Sequence, residues 1–311
     1  MTTTPPLGLA IAVGNQKGGV GKTTNAVHLA AACGNSGYRV LLIDLDPAAC
    51  ATKHLGLATN SYAGSLELLT SDERVEALAV TDGMPSGVSL IPSRGQLAEL
   101  DTVLSKFVDR TRILERPLEE ARQRYDFIFL DTCPSAAATT TVAAYASVEW
   151  FLISAFPHPL SLGGLSEALN DIAEVRQYRN PELEVLGVIF SNVDPRATRL
   201  RGELEFVVGE ALPGRQFETV ITQAIVIPEC SGKGRTLFQL PKHQEIRSAQ
   251  QYMCLAAEVE HRVLHRAAFI DGSLPPLDVE QLVQDRLGLV NKRTRRGYDP
   301  DLPGANVLPI W

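Results

Sequence analysis

Paired cysteines are missing from this 311-residue chain. Its five cysteines, Cys33, Cys50, Cys133, Cys230 and Cys254, are scattered, with no CxxC pair and no zinc-like spacing. That excludes a disulfide-stapled module and a cysteine-built metal site, and the thiols read as reduced ones in a cytoplasmic protein. An excess of positive charge is missing too. With a formal net charge of −7, nothing draws the whole chain toward nucleic acid or an anionic membrane, so any polyanion contact must come from a local patch. The opening MTTTPPLGLAIAVGNQ has neither a basic n-region nor a small-residue cleavage site, which argues against a signal peptide. Residues 132–156 are apolar but interrupted by Glu149 and rich in Ala and Thr at their start, so they read as a helix running into a strand, not as a membrane span. No internal repeat is present.

What is present is an alternation. Short, continuously apolar runs at 9–13, 39–44, 127–131, 148–154 and 183–191 mark strands covered on both faces, as in a parallel sheet. Helical patterns at 22–33, 95–122, 136–147, 163–178, 197–211 and 243–265 separate them, and Gly34 and Gly37 are candidate stops for the first. The pattern predicts an α/β fold, a doubly wound, mostly parallel sheet with helices on both faces. A division follows near residue 266: a domain over 1–265, then a tail over 266–311 with a short amphipathic piece (279–290) and a basic run of Lys292, Arg293, Arg295 and Arg296. That piece carries acidic residues where a membrane-surface helix would be basic, so no membrane partner is expected.

Between the first strand and the first helix lies GNQKGGVGKT, residues 14–23. It meets the loose pattern GxxxxGK[ST] from Gly14, or in shifted form around Gly18. Glycines let backbone N–H groups approach phosphate oxygens, the helix N-terminus adds a fixed positive potential, and a lysine completes the neutralisation. Lys22 is expected on the β- and γ-phosphates and Thr23 on Mg²⁺. A second lysine, Lys17, stands at the front of the same loop. Asp44 and Asp46 end the second apolar run and Asp131 ends the third, at the strand ends where open α/β sheets bind ligands.

KGGVGKTT resembles the deviant Walker A motif of the ParA/MinD family of P-loop ATPases, and NQKGGVGKTT is most similar to its ParA/Soj branch. LLIDLDP (41–47), IPSRGQLAELD (91–101), YDFIFLDTCPS (125–135) and GRTLFQLP (234–241) continue the resemblance across about residues 9–265. It implies a P-loop NTPase fold, ATP and Mg²⁺ as cofactors, and slow hydrolysis stimulated by a ParB-like partner. It also implies a homodimer formed with ATP, in which Lys17 reaches the partner's nucleotide. On this resemblance the nucleotide-binding residues are Lys17, Gly18, Gly19, Val20, Gly21, Lys22, Thr23, Thr24 and Asn192, the last reading the adenine edge. Asp46 positions the attacking water, Asp44 supports Mg²⁺, and Asp131 is the Walker B aspartate. Lys17, Lys22 and Asp46 are then the catalytic set.

The chain departs from the family at several places. Ala48, Ala49 and Cys50 follow Asp46-Pro47 where the family has Gln-Gly-Asn. Thr132, Cys133, Pro134 and Ser135 replace a two-proline turn. Gln223 and Val226 stand where similar proteins carry arginines associated with non-specific DNA binding. A DNA surface would then fall to Lys233, Arg235, Lys242 and Arg247, or to the basic run of the tail. The reading that results is a partition ATPase, cytoplasmic and nucleoid-associated, that moves a plasmid, chromosome region or other cargo. With the loop beginning by residue 14, no N-terminal DNA-reading domain is expected. A MinD-like membrane-cycling ATPase is the alternative. An electron donor of the nitrogenase iron-protein type would need interface cysteines, for which only Cys133 offers itself.

Overall fold

The computed structural model describes residues 8–106, 109–135, 138–157 and 161–278. The amphipathic piece and basic run expected in the tail lie outside them.

The elements run β1 (Leu9–Gly14), α1 (Lys22–Asn35), β2 (Val40–Asp44), α2 (Cys50–His54), α3 (Ser65–Thr70), α4 (Val75–Leu78) and β3 (Val88–Ile91). Next come α5 (Leu100–Val103), α6 (Glu115–Arg122), β4 (Phe127–Asp131), α7 (Thr139–Ser147), β5 (Trp150–Ala155), α8 (Ser161–Tyr178) and β6 (Glu184–Phe190). The chain continues through α9 (Thr198–Ala211), α10 (Val226–Gly232), α11 (Arg247–Leu264) and α12 (Arg266–Asp271). The six strands form one sheet in the order β3-β2-β4-β1-β5-β6, and every pairing between them is parallel.

The strands are apolar without a break because both faces are covered. Successive side chains point to opposite faces. Ala10, Ala12, Leu41, Ile43, Ile128, Leu130, Phe151 and Ile153 enter one core with residues of α3 to α8. Ile11, Val13, Val40, Leu42, Phe127, Phe129, Trp150 and Leu152 enter the other with α1, α10 and α11. The expected doubly wound sheet is therefore present. Its register matters for function: Val13 and Asp44 each lie opposite Asp131, and Gly14 lies opposite Ile153. The three strand ends thus open onto one crevice, where order reverses around β1.

Several expectations change. Residues 95–122 do not form one helix. A 3₁₀ turn at Gly95–Glu99, α5, 3₁₀ turns at Leu104–Lys106 and Arg110–Arg112, and α6 replace it. Asp109 interrupts by accepting the Thr111 N–H at 2.9 Å, and Pro117 is tolerated only within the first turn of α6. The strand β3 is unannounced because four residues at a sheet edge, ended by Pro92, carry little pattern. Of the two candidate stops for α1, Gly37 is the real one. At φ 97 it donates to the Gly34 carbonyl at 3.0 Å while Tyr38 donates to Cys33 at 3.2 Å, a Schellman closure. Gly34 stays inside the helix, where a Cβ would fall 2.3 Å from the Ser86 carbonyl. Structure also continues past residue 265, since α12 buries Phe269 against Trp150. No helix among the described residues is long and apolar enough to cross a membrane.

Candidate active site

The phosphate loop is built by backbone constraint. Gly14 ends β1 where a Cβ would meet the Tyr145 hydroxyl and the Phe151 ring at 2.6 Å. Asn15 turns the chain, donating through Nδ2 to the Ser154 carbonyl at 2.8 Å and accepting the Lys17 N–H at 2.9 Å. Gly19 and Gly21 sit at φ 76 and 86, in the left-handed region that favours glycine. A Cβ on Gly18 or Gly19 would meet nothing within 4 Å, so this side of the loop is open. Val20 is buried and pins the turn. Gly21 precedes α1 without offering a side-chain cap, which leaves the first helical N–H groups of Lys22, Thr23 and Thr24 pointing into the crevice. The loop is an anion cradle.

The two lysines differ. Lys22 is 7% exposed and its Nζ donates to the Lys17 carbonyl at 3.0 Å. Burial lowers its pKa, against the pull of Asp131 and Asp46. Lys17 is half-buried, and its ammonium makes no ion pair among the described residues. Gly164 of α8 lets it sit there, since a Cβ on that residue would fall 2.9 Å from Asn15 Oδ1 and 3.3 Å from Lys17 Cβ.

The three aspartates also separate. Asp131 is fully buried, and neither of its oxygens has a hydrogen bond of good geometry. Burial, reinforced by the Asp44 carboxylate, raises its pKa well above the ordinary range, while the Thr23 hydroxyl and Lys22 oppose them. An orphaned carboxylate beside a hydroxyl at a phosphate cradle fits a hydrated Mg²⁺ that takes its remaining ligands from water and phosphate. No cluster of three or more His, Cys, Asp or Glu exists among the described residues to suit a metal caged by protein alone. Asp44, expected on the metal side, has both carboxylate oxygens hydrogen-bonded within the protein. Its Oδ2 accepts the Thr52 N–H at 2.8 Å and hydroxyl at 2.7 Å, and its Oδ1 accepts the Asp46 N–H at 3.2 Å. Burial nevertheless raises its pKa to about 6, because those hydrogen bonds offset desolvation only in part. Asp46 is half-buried, with Oδ1 accepting the Ala48 N–H at 2.8 Å.

Behind the loop lies a polar network that no spacing in the sequence announced. Asn25, fully buried, donates to Ser154 Oγ at 3.0 Å and Ser191 Oγ at 2.8 Å, and accepts the Tyr252 hydroxyl at 2.9 Å. His28 stacks on Tyr252 at 5.0 Å and meets His54 edge-on at 5.1 Å. Its Nδ1 lies 3.0 Å from the Thr24 carbonyl. Burial pulls the pKa of His28 down to about 3 and that of His54 to about 4, so both rings are neutral.

The remaining candidates lie farther out. Asn192, exposed at the end of β6, takes φ 54, which an asparagine tolerates. Lys233, Arg235, Lys242 and Arg247 are all exposed, and Lys242 pairs with Glu245 at 3.8 Å. The turn bearing Lys233 and Arg235 touches the end of α2, since a Cβ on Gly234 would fall 2.6 Å from Gly56 Cα. Gln223 donates its N–H to the Val193 carbonyl at 2.9 Å, and Val226 opens α10. Cys133 is buried, with Sγ 3.2 Å from Thr141 Oγ1, so it packs among threonines and does not face outward as an interface ligand.

An anion cradle at a topological switch point, closed by a buried lysine and faced by strand-end aspartates, defines a P-loop nucleotide-binding protein. Comparison with known proteins narrows the class. A family model described as an AAA domain matches residues 8–185, more than half of the chain. The sporulation initiation inhibitor protein Soj of Bacillus subtilis is 32% identical over 257 residues, covering 81% of this chain and 98% of Soj. The chromosome partitioning protein ParA of Caulobacter vibrioides is 30% identical over 263 residues, covering 83% and 96%. Among solved structures, cobyrinic acid a,c-diamide synthase from Mycobacterium smegmatis with bound ADP and magnesium is similar at TM-score 0.69. It is 26% identical, and the match covers 83% of this chain and 96% of that one. The chain belongs to the ParA/Soj branch of the ParA/MinD P-loop ATPases.

Proposed function

We propose that the protein binds Mg²⁺-ATP, dimerises in response to it, hydrolyses it slowly, and in the dimeric state binds DNA without sequence preference. On this reading a ParB-like protein stimulates hydrolysis and the cycle moves a plasmid, chromosome region or other cargo. The backbone N–H groups of Gly19 to Thr24 and the Lys22 ammonium would hold the phosphates, and Thr23 and Asp131 would hold the metal. When bound, Mg²⁺ neutralises phosphate charge. Asp46, the one of the three aspartates that is only half-buried, would hold and orient the attacking water.

One observation carries this reading: the loop has two lysines in unlike states. Lys22 is turned inward and buried on the loop's own carbonyl, so neutralisation within the protomer is already provided for. Lys17 stands at the front of the open cradle with no acid to answer it among the described residues. A cation so placed suits phosphates presented by a second copy and makes assembly conditional on ATP.

The experiment is light scattering with Mg²⁺-ATP, run beside phosphate release. Lys17→Ala is expected to bind nucleotide as a monomer, with neither ATP-induced dimer nor turnover. Asp46→Ala is expected to bind ATP and stay dimeric without releasing phosphate. A Lys17→Ala protein that dimerises on ATP like the parent would sink the role given to Lys17.

A further inference from the structure

The segment IPSRGQLAELD carries part of the family resemblance, yet the phosphate loop gives it no task. In the fold its first residues leave β3 and pass directly beneath the chain that bears Asp46. Ser93 is 2% exposed. Its Oγ donates to the Asp46 carbonyl at 2.7 Å, and its N–H donates to Thr52 Oγ1 at 2.8 Å. Thr52, fully buried on α2, in turn donates its hydroxyl to Asp44 Oδ2. Ser65 opens α3 at 1% exposure and donates to the Asp44 carbonyl. Hydroxyls from three separate elements therefore close on residues 44–46.

These residues need such closure. The ladder between β2 and β4 ends at Asp44, and beyond it the Leu45 N–H reaches the Asp131 carbonyl at 2.9 Å. From there Asp46 has no strand partner, and Pro47 offers no N–H. The Asp46 carbonyl accepts the Ala49 N–H at 2.8 Å, and the Ser93 hydroxyl, arriving from the end of β3, is the second donor that fixes it from another element. Asp44 is the anchor of the arrangement: its carboxylate takes both Thr52 donors and the Asp46 N–H. A fully satisfied buried network is rigid, and a group that orients a water must be held to a fraction of an ångström.

We propose that Thr52, Ser65 and Ser93 form a hydroxyl clamp, anchored on Asp44, that positions Asp46 and so sets the rate of hydrolysis without contributing to nucleotide affinity. This rests on the reading of Asp46 as the water-orienting carboxylate. None of the three hydroxyls lies in the phosphate loop, and they act on the backbone of Asp46 and the anchor beside it. They are positioning residues.

Thr52→Val removes the hydroxyl at nearly constant shape, and Thr52→Ser keeps it. We expect folded Thr52→Val to retain the parent's Mg²⁺-ATP affinity within about twofold. Single-turnover hydrolysis should slow by roughly tenfold to a hundredfold, the range set by misplacement of a reacting group. Thr52→Ser should recover most of the rate. Hydrolysis by Thr52→Val at the parent's rate overturns the proposal, as does Thr52→Ser being equally slow or ATP affinity falling in step with rate. If Thr52→Val does not fold, Ser93→Ala, which deletes the side-chain donor to the Asp46 carbonyl and leaves the Ala49 N–H in place, carries the same expectations for rate and ATP affinity and the same overturning results. Asp46→Ala is the control. If it hydrolyses at the parent's rate, the reading of Asp46 fails and the clamp with it; if it is inactive while Thr52→Val is unimpaired, the clamp alone fails.

Discussion

The crevice at the centre of the sheet and the corner carrying Lys233, Arg235, Lys242 and Arg247 are built on opposite principles. In the crevice the working side chains are buried or half-buried, and several are held by neighbouring groups: Lys22 by the Lys17 carbonyl, Asp44 by Thr52, Asn25 by Tyr252. At the corner the cations are exposed, Arg247 at the start of α11 and the others on turns whose backbone is hydrogen-bonded but whose side chains are largely left to solvent. Chemistry that depends on position is held by networks; attraction that depends on charge alone is left in solvent. Substitutions should therefore act steeply in the first region and gradually in the second.

The largest expected effect is that of Lys22→Ala. Removing the buried cation from a loop that would hold polyphosphate should weaken Mg²⁺-ATP binding by at least roughly a hundredfold, about 3 kcal/mol, as read by calorimetry. Binding within a few-fold of the parent would show that the backbone cradle suffices and would erase the contrast.

Next in size is a pH effect specific to the crevice. His54 has its pKa lowered to about 4 from 6.5 by burial. Above pH 6.5 neither state holds a proton on this ring and its burial is harmless. As the pH falls below that value the unfolded chain gains a proton that the folded one does not, so stability is lost down to about pH 4, by roughly 1 kcal/mol per unit. His28, lowered to about 3, adds a loss of the same sign. Denaturant titrations at pH 7 and pH 5 should show the decline, and His54→Phe should make it shallower. An unchanged slope in that variant would mean that the ring gains its proton without unfolding.

At the corner the effects should be smaller and additive. If Arg235 and Arg247 each neutralise one phosphate, each alanine substitution should lower the slope of log K against log salt by roughly 0.9 for duplex DNA in the presence of ATP. Affinity should fall a few-fold each time, and the double variant should show the sum. Abolition of binding by either single change would mean that the corner contains a positioned site after all.

The smallest effect concerns Ala49, which is buried at φ 52 where the family has glycine. Glycine there would relieve left-handed strain of roughly 1–2 kcal/mol while removing a methyl group worth roughly 0.8 kcal/mol. Ala49→Gly should raise stability by less than about 1 kcal/mol. A lower melting temperature would show that the methyl contact outweighs the backbone.

The same contrast governs what could be read in advance. Five strands were legible because coverage on both faces forces unbroken apolar runs, and the loop because left-handed turns and close backbone approach demand glycine. Edge strand β3 was hidden because only four residues encode it. The helix expected over 95–122 was broken by Asp109 and Pro117, both visible but outweighed by the surrounding periodicity. Asp44 was assigned by its place beside Asp46, yet its hydrogen-bond partners are set by Thr52, eight positions on and across a turn. Tyr252 and Asn25, 227 positions apart, meet only because the fold brings α11 against α1. The exposed cations satisfy no geometric demand, so their positions carry no comparable signal.

The contact between Lys22 and the Lys17 carbonyl has one more consequence. It makes the loop a closed ring, its last side chain tied to the main chain of its first lysine. An incoming phosphate does not meet an idle ammonium; it competes with a ligand already seated, and the affinity measured is the difference between the two. Whatever draws Lys22 away also unties the residue at the front of the loop. Occupancy and release of that front edge are therefore a single exchange.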